Sequence, residues 1–179
     1  MNLDLKIFYF FNNLVGHSHF FDMLVVFLAD YFQYILILIF LLILFFSKRT
    51  KKEKIIIFLV VVASVAVARL GVTELIRFFW HRPRPFLVYP VSQLLFNGQY
   101  SFPSGHAAFF FSMAAALWFY YKKWGLGFFA AAIFITLSRV IGGIHYPSDI
   151  LGGLVVGILS AIAGFYLIPK LVNKFLAKS

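Results

Sequence analysis

Cysteine is absent from the 179 residues, so neither a disulfide nor a thiolate metal site can form. Charge is scarce as well. Asp, Glu, Lys and Arg make up 12% of the chain, where a soluble domain carries about 25%. Only six residues are acidic, and too few of them lie near any candidate site for a convincing Mg²⁺ cage. No secretory signal peptide is evident, because Met1 to Phe21 lacks a basic start and a small-residue cleavage site. Insertion is therefore expected to be directed by the first spans themselves.

What fills the chain instead is apolar: 63% hydrophobic residues and 21% aromatics, with a formal charge of +10. This balance describes a polytopic membrane protein of one compact domain. Nucleic acid does not explain the positive charge. The basic residues sit in short clusters between long apolar runs, as cytoplasmic loops do. The expected fold is an all-α transmembrane bundle with five clear spans, since a span needs roughly 20 residues. They read Phe20 to Phe46, Ile55 to about Trp80, Ser104 to Tyr121, Leu126 to about Ile144, and Asp149 to Ile168. Leu3 to Val15 is too short to cross and alternates apolar with polar, so it reads as an interfacial amphipathic helix. The expected division is an N-terminal segment, 1–19, and one membrane domain, 20–179.

Smaller features get modest readings. His17 and His19 read as exposed turn residues, with no other metal ligand nearby. Asp30, at the membrane edge, is expected to be solvated or to pair with a basic residue, in a structural role; Arg69, within the membrane, reads as half of a buried structural pair rather than a substrate contact; Glu74 and Arg77 are within helical pairing reach. Pro83, Pro85 and Pro90 break the loop from His81 to Phe102. Its apolar middle, Leu87 to Phe96, suits either a lid dipping into the interface or simple packing. Lys122 to Gly125 reads as a tight basic turn. Gly153, Gly157 and Ala161 recur every fourth residue, which lets helices approach closely.

Basic residues set the expected orientation. Ten lie on one side (Lys48, Arg49, Lys51, Lys52, Lys54, Lys122, Lys123, Lys170, Lys174 and Lys178), and five on the other (Lys6, Arg77, Arg82, Arg84 and Arg139). The richer side is cytoplasmic by the positive-inside rule, which places the C-terminus inside. Three polar islands then meet on the outer face: Arg77 to Pro85, Pro103 to His106, and Ser138 to Asp149. Ionisable groups at a membrane edge are functional candidates by default.

The residues in these islands suit attack on a phosphate ester. Ser104 is a natural N-cap, free N–H groups at a helix start attract phosphate, and Gly105 allows close backbone approach. Asp149 is the carboxylate close in sequence to His145, able to orient its imidazole and leave the other nitrogen free to attack. His145 is thus the better candidate for nucleophile and His106 for general acid. Arg77, Arg84 and Arg139 offer forked donors for phosphoryl oxygens. Arginines can supply the charge stabilisation that phosphoryl transfer needs, so no metal and no cofactor is expected.

These residues resemble the type 2 phosphatidic acid phosphatase (PAP2) family, which shares its core with vanadium haloperoxidases. The family pattern is Lys, six residues, Arg-Pro; then Pro-Ser-Gly-His; then Ser-Arg, five residues, His, three residues, Asp. Arg84-Pro85, Pro103 to His106, and Ser138, Arg139, His145 and Asp149 match it. Arg77 stands where the family usually has Lys, so an Arg77→Lys change is expected to keep activity. The family usually has six spans, which leaves the role of Leu3 to Val15 open. The resemblance implies a metal-independent phosphatase with a phosphohistidine on His145, Asp149 as its partner and His106 as acid. It implies Arg77, Arg84, Ser104, Gly105 and Arg139 as phosphate binders. It also implies a lipid phosphate substrate in a bacterial-type inner membrane, first undecaprenyl diphosphate, by resemblance to small bacterial undecaprenyl-diphosphatases. Phosphatidate or phosphatidylglycerophosphate hydrolysis, lipid phosphotransfer, and non-catalytic lipid binding are the alternatives.

Overall fold

The computed structural model describes residues 2–176, with side chains to residue 174; Lys178, counted above among the inner basic residues, lies outside them. The described residues form an all-helical bundle. Helix α1 is Leu3–Asn12, α2 His19–Phe46, α3 Lys51–Phe79, α4 Pro85–Val88, α5 Gly105–Tyr120, α6 Lys122–Ile141 and α7 Pro147–Leu176. Helices α2, α3, α6 and α7 are long and apolar enough to cross a membrane. The expected third span, α5, is shorter, at 16 residues, and is the central helix: Ala107, Ala108, Ala114, Ala116 and Leu117 are fully buried.

Small side chains explain that burial. A Cβ on Gly153 would lie 2.5 Å from Ala107 Cβ, and one on Gly157 would lie 2.7 Å from Ala108 O. The glycine stripe of α7 therefore seats that helix directly on α5. The expected basic turn at Lys122 to Gly125 is instead the first turn of α6, with Tyr121 alone between the two helices. Gly125 explains how so short a connection closes: its missing Cβ would lie 2.5 Å from Trp118 Cα. Helix α6 ends at Ile141, before the expected Ile144, because Gly143 takes a left-handed φ of +85° that glycine adopts without strain. Helix α7 runs on through Pro169, past the expected end at Ile168.

Two spans carry a wide π turn. Phe27–Tyr31 interrupts α2 and Val67–Val72 interrupts α3. In α3, Thr73 Oγ1 donates to Ala68 O at 2.7 Å, satisfying a carbonyl within the widened turn. Helix α1 packs onto the bundle. Phe8 is fully buried, with its ring 5.8 Å from that of Tyr146, while Leu3 and Phe10 stay exposed. Asn12 is buried and makes three hydrogen bonds: Nδ2 donates to Ser92 O and Ile141 O, and Oδ1 accepts from Ser92 N.

Candidate functional site

The end of the bundle where α3 stops and α5 and α7 begin gathers the three islands. Ser104 N donates to Asp149 O at 3.0 Å, tying the start of α5 to the start of α7. Arg84 Nη1 donates to Ile144 O at 2.7 Å, tying the first island to the third. Arg77 Nη2 donates to Pro103 O at 3.0 Å, tying the first to the second.

His145 sits in the turn between α6 and α7 and is 1% exposed. Its Nδ1 is 3.2 Å from Asp149 Oδ2, one helical turn on. Asp149 is itself fully held. Oδ2 also accepts from Ser101 Oγ at 2.5 Å and from Tyr146 N at 2.8 Å, and Oδ1 accepts from Arg82 Nη1 at 2.7 Å. An anchored carboxylate fixes both the ring orientation and the tautomer of its histidine. The outward nitrogen, Nε2, faces Arg84 Nη1 at 3.3 Å. Burial pushes the imidazole down to about 4, against the raising pull of Asp149, so His145 is neutral near pH 7.

Arg84 is 1% exposed and bonds only neutral groups among the described residues. Nε donates to Gln99 O at 2.7 Å and Nη2 to Tyr100 O at 3.4 Å. Burial, with the charges of Arg77 and Arg139 added, pulls its guanidinium down to about 9. A buried cation with neutral partners and cationic neighbours is poised for an anion. Arg77 and Arg139 add to the same field. Arg77 Nη1 donates to Gln99 Oε1 and Glu74, and Arg139 Nη1 donates to Ala29 O and Asp30. Both are almost wholly buried, and the Nε of each lacks a partner among the described residues.

Ser104 caps α5 by accepting from Ala107 N, and Gly105 opens its first turn. His106 follows on that turn, with Nε2 3.1 Å from Gln33 Oε1 on α2. It lies within charge range of His145, Arg139, Arg84 and Arg69. The structure thus brings all eight sequence-derived candidates to one end of the bundle. Asp30 pairs with Arg139, as its structural reading expected, and His17 and His19 are exposed. Arg69 pairs with Glu74 but keeps 25% of its side chain exposed, so the pair is not a buried one.

Five residues of the site went unassigned from sequence: Gln33, Arg82, Gln99, Ser101 and Asp4. Arg82 Nη2 donates to Asp4 Oδ2 at 2.7 Å, and the Asp4 carboxylate also accepts from Ser148 N and Oγ. Helix α1 is therefore bound to the turn that carries His145. The loop from His81 to Phe102 is bound there too, through Ser101 Oγ, which donates to Asp149, and through Leu94 N and Leu95 N, which donate to Gly142 O. Of its apolar middle, Leu95 packs inward beneath Gly142, whereas Leu87 and Phe96 are exposed.

A PAP2 superfamily model matches residues 53–173. The chain is similar to the bacitracin transport permease protein BcrC of Bacillus licheniformis, with 32% identity over 94% of this chain and 82% of that one. It is 34% identical to the undecaprenyl-diphosphatase BcrC of Bacillus subtilis, over 52% of this chain and 49% of that protein. Among solved structures it superposes on LpxE of Aquifex aeolicus with a TM-score of 0.72 and 25% identity, over 92% of this chain and 96% of that one. A PAP2-type phosphatidylglycerolphosphate phosphatase from Bacillus subtilis has the same fold, with a TM-score of 0.61 and 21% identity over 97% of this chain and 88% of that one.

Proposed function

The chain belongs to the PAP2 superfamily of membrane phosphatases, and from that premise we propose that it hydrolyses undecaprenyl diphosphate through a phosphohistidine on His145, at the extracytoplasmic face. The protein is a phosphoric ester hydrolase, a lipid phosphatase with a multi-pass helical bundle. The observation that carries the proposed mechanism is the pairing of His145 Nε2 with Arg84. A neutral, carboxylate-oriented imidazole presents its free nitrogen beside a buried guanidinium bonded only to neutral groups.

In this mechanism Nε2 attacks the terminal phosphorus, and the bond to the bridging oxygen breaks. Asp149 holds the Nδ1 proton and stabilises the positive charge that develops on the ring. Arg77, Arg84 and Arg139, with the Ser104 hydroxyl and the Gly105 N–H, grip the phosphoryl oxygens. His106 gives its proton to the bridging oxygen, and the lipid monophosphate leaves. Water, deprotonated by His106, then attacks the phosphohistidine and releases inorganic phosphate. The lipid substrate is inferred from a site at a membrane edge and from the names of the relatives above.

Phosphate release by detergent-solubilised protein tests this, with undecaprenyl diphosphate, phosphatidate and phosphatidylglycerophosphate compared side by side. Fastest release from the diphosphate is expected. Release from the glycerophospholipids alone overturns the substrate, and transfer of label to a second lipid without phosphate release overturns the hydrolase.

A further inference from the structure

Arg69 is the one basic residue that lies well inside the apolar run of its span, and the mechanism above does not use it. It sits in the π turn of α3, against the first turn of α5. A Cβ on Gly105 would lie 2.5 Å from Arg69 Nε. Nη1 binds Glu74, and Nη2 reaches only Gln99 Oε1, at 3.3 Å. Two cavities meet at this side chain. One, of about 150 Å³, is lined by His106, Gly105, Gln33 and Arg69. The other, of about 330 Å³, runs between α2, α3 and α5 past Phe40, Phe58 and Met113, and Arg69 is the charged residue in its lining. Ile37 and Phe109 also line both.

The position fits one part of one substrate class. His106 protonates the bridging oxygen, so the leaving group departs on the His106 side. In a lipid diphosphate that group is a lipid monophosphate, whose phosphorus follows directly on the protonated oxygen. In a phosphate monoester, carbon stands there. The cavity beside His106 offers a guanidinium at that place, and the apolar cavity beyond it suits a hydrocarbon chain.

We propose that Arg69 binds the lipid-proximal phosphate of a diphosphate substrate and so sets the preference for diphosphates over phosphate monoesters. The proposal rests on the phosphohistidine mechanism with His106 as acid. As the bridging bond breaks, the leaving phosphate gains negative charge, and a donor placed against it counts more in the transition state than in the ground state. The long contact to Gln99 is the one that the phosphate replaces, while Glu74 keeps the side chain in place.

The test compares farnesyl diphosphate with farnesyl monophosphate, which share one chain, and reads the ratio of their kcat/KM values. Arg69→Gln is expected to lower that ratio about tenfold or more, the size of one lost hydrogen bond to a charged group. Arg69→Lys, which keeps the charge but not the fork, lowers it about threefold. A purely structural role, acting through Glu74 on Arg77, slows both substrates alike and leaves the ratio unchanged. An unchanged ratio in whichever variant folds, judged by thermal unfolding in detergent, overturns the proposal. Wild-type protein that hydrolyses the monophosphate and not the diphosphate overturns the substrate reading itself. A wild-type preference for the diphosphate that survives in Arg69→Gln removes Arg69 alone.

Discussion

At the scale of single residues, the chemistry turns on how tightly His145 and the arginines are held. The folded His145 titrates at about 4, below its ordinary value near 6.5. Between those values the unfolded chain binds a proton that the folded chain refuses. Its contribution to stability is therefore complete above about pH 6.5 and is lost as pH falls toward 4. The same shift keeps the proposed nucleophile neutral. The acid limb of kcat/KM, which reports the essential base of the free enzyme, is expected well below pH 6.5; a limb at 6.5 would contradict the buried imidazole. His145→Ala should lower turnover by about 10⁴-fold or more, as loss of a nucleophile does, and wild-type rates in that variant would remove it from the reaction. For Arg77 the geometry changes what the family pattern suggests. Its guanidinium serves Pro103 O, Gln99 and Glu74 at once and still has a free Nε. One ammonium cannot make those contacts and hold a phosphate too. Arg77→Lys should therefore cost about tenfold in kcat/KM, measured with the fold verified, and full activity would show that charge alone suffices.

At the scale of elements, small residues and wide turns set where the charges point. The π turns of α2 and α3 contain Asp30 and Arg69, and such turns are frequent at functional sites. The α5–α7 seam sets the height of Ser104 against Asp149. A methyl group at Gly153 would meet both Ala107 Cβ and Ser104 O at 2.5 Å, the latter being backbone that cannot step aside. Gly153→Ala should destabilise by about 1–3 kcal/mol and reduce activity with it. Gly127→Ala, with open space around it, should be neutral or slightly stabilising; thermal unfolding of the pair checks the contrast. Four spans were legible in the sequence because apolar runs of that length have few other uses, and the islands because charge is rare between them. Ser101, Arg82 and Asp4 were not legible. Each finds its partner far along the chain: Ser101 and Asp149 are 48 residues apart, and Asp4 and Ser148 are 144 apart. No periodicity marks such a pair. Amphipathicity in α1 likewise does not distinguish a lipid surface from a protein one, and Asn12, its anchor, looks in sequence like any polar residue.

At the scale of the whole molecule, two ends of the bundle differ in charge and in construction. The site end is stitched by buried polar contacts among α1, the long loop, α5 and α7. The other end carries Lys48, Arg49, Lys51 and Lys52 beside Tyr121, over whose ring Arg49 lies at 5.9 Å. Segregated loop charge of this kind is the basis for the proposed orientation, with the basic end in the cytoplasm and the site outside. Absence of cysteine makes this directly measurable. Gly98 lies in the long loop at the site end, exposed and with open space where a Cβ would go, and Lys48 is exposed at the opposite end. In intact cells a membrane-impermeant maleimide should label Gly98→Cys and spare Lys48→Cys, which becomes reactive only after permeabilisation. The reverse pattern would place the histidines on the cytoplasmic side, and would require a substrate presented from the inner leaflet.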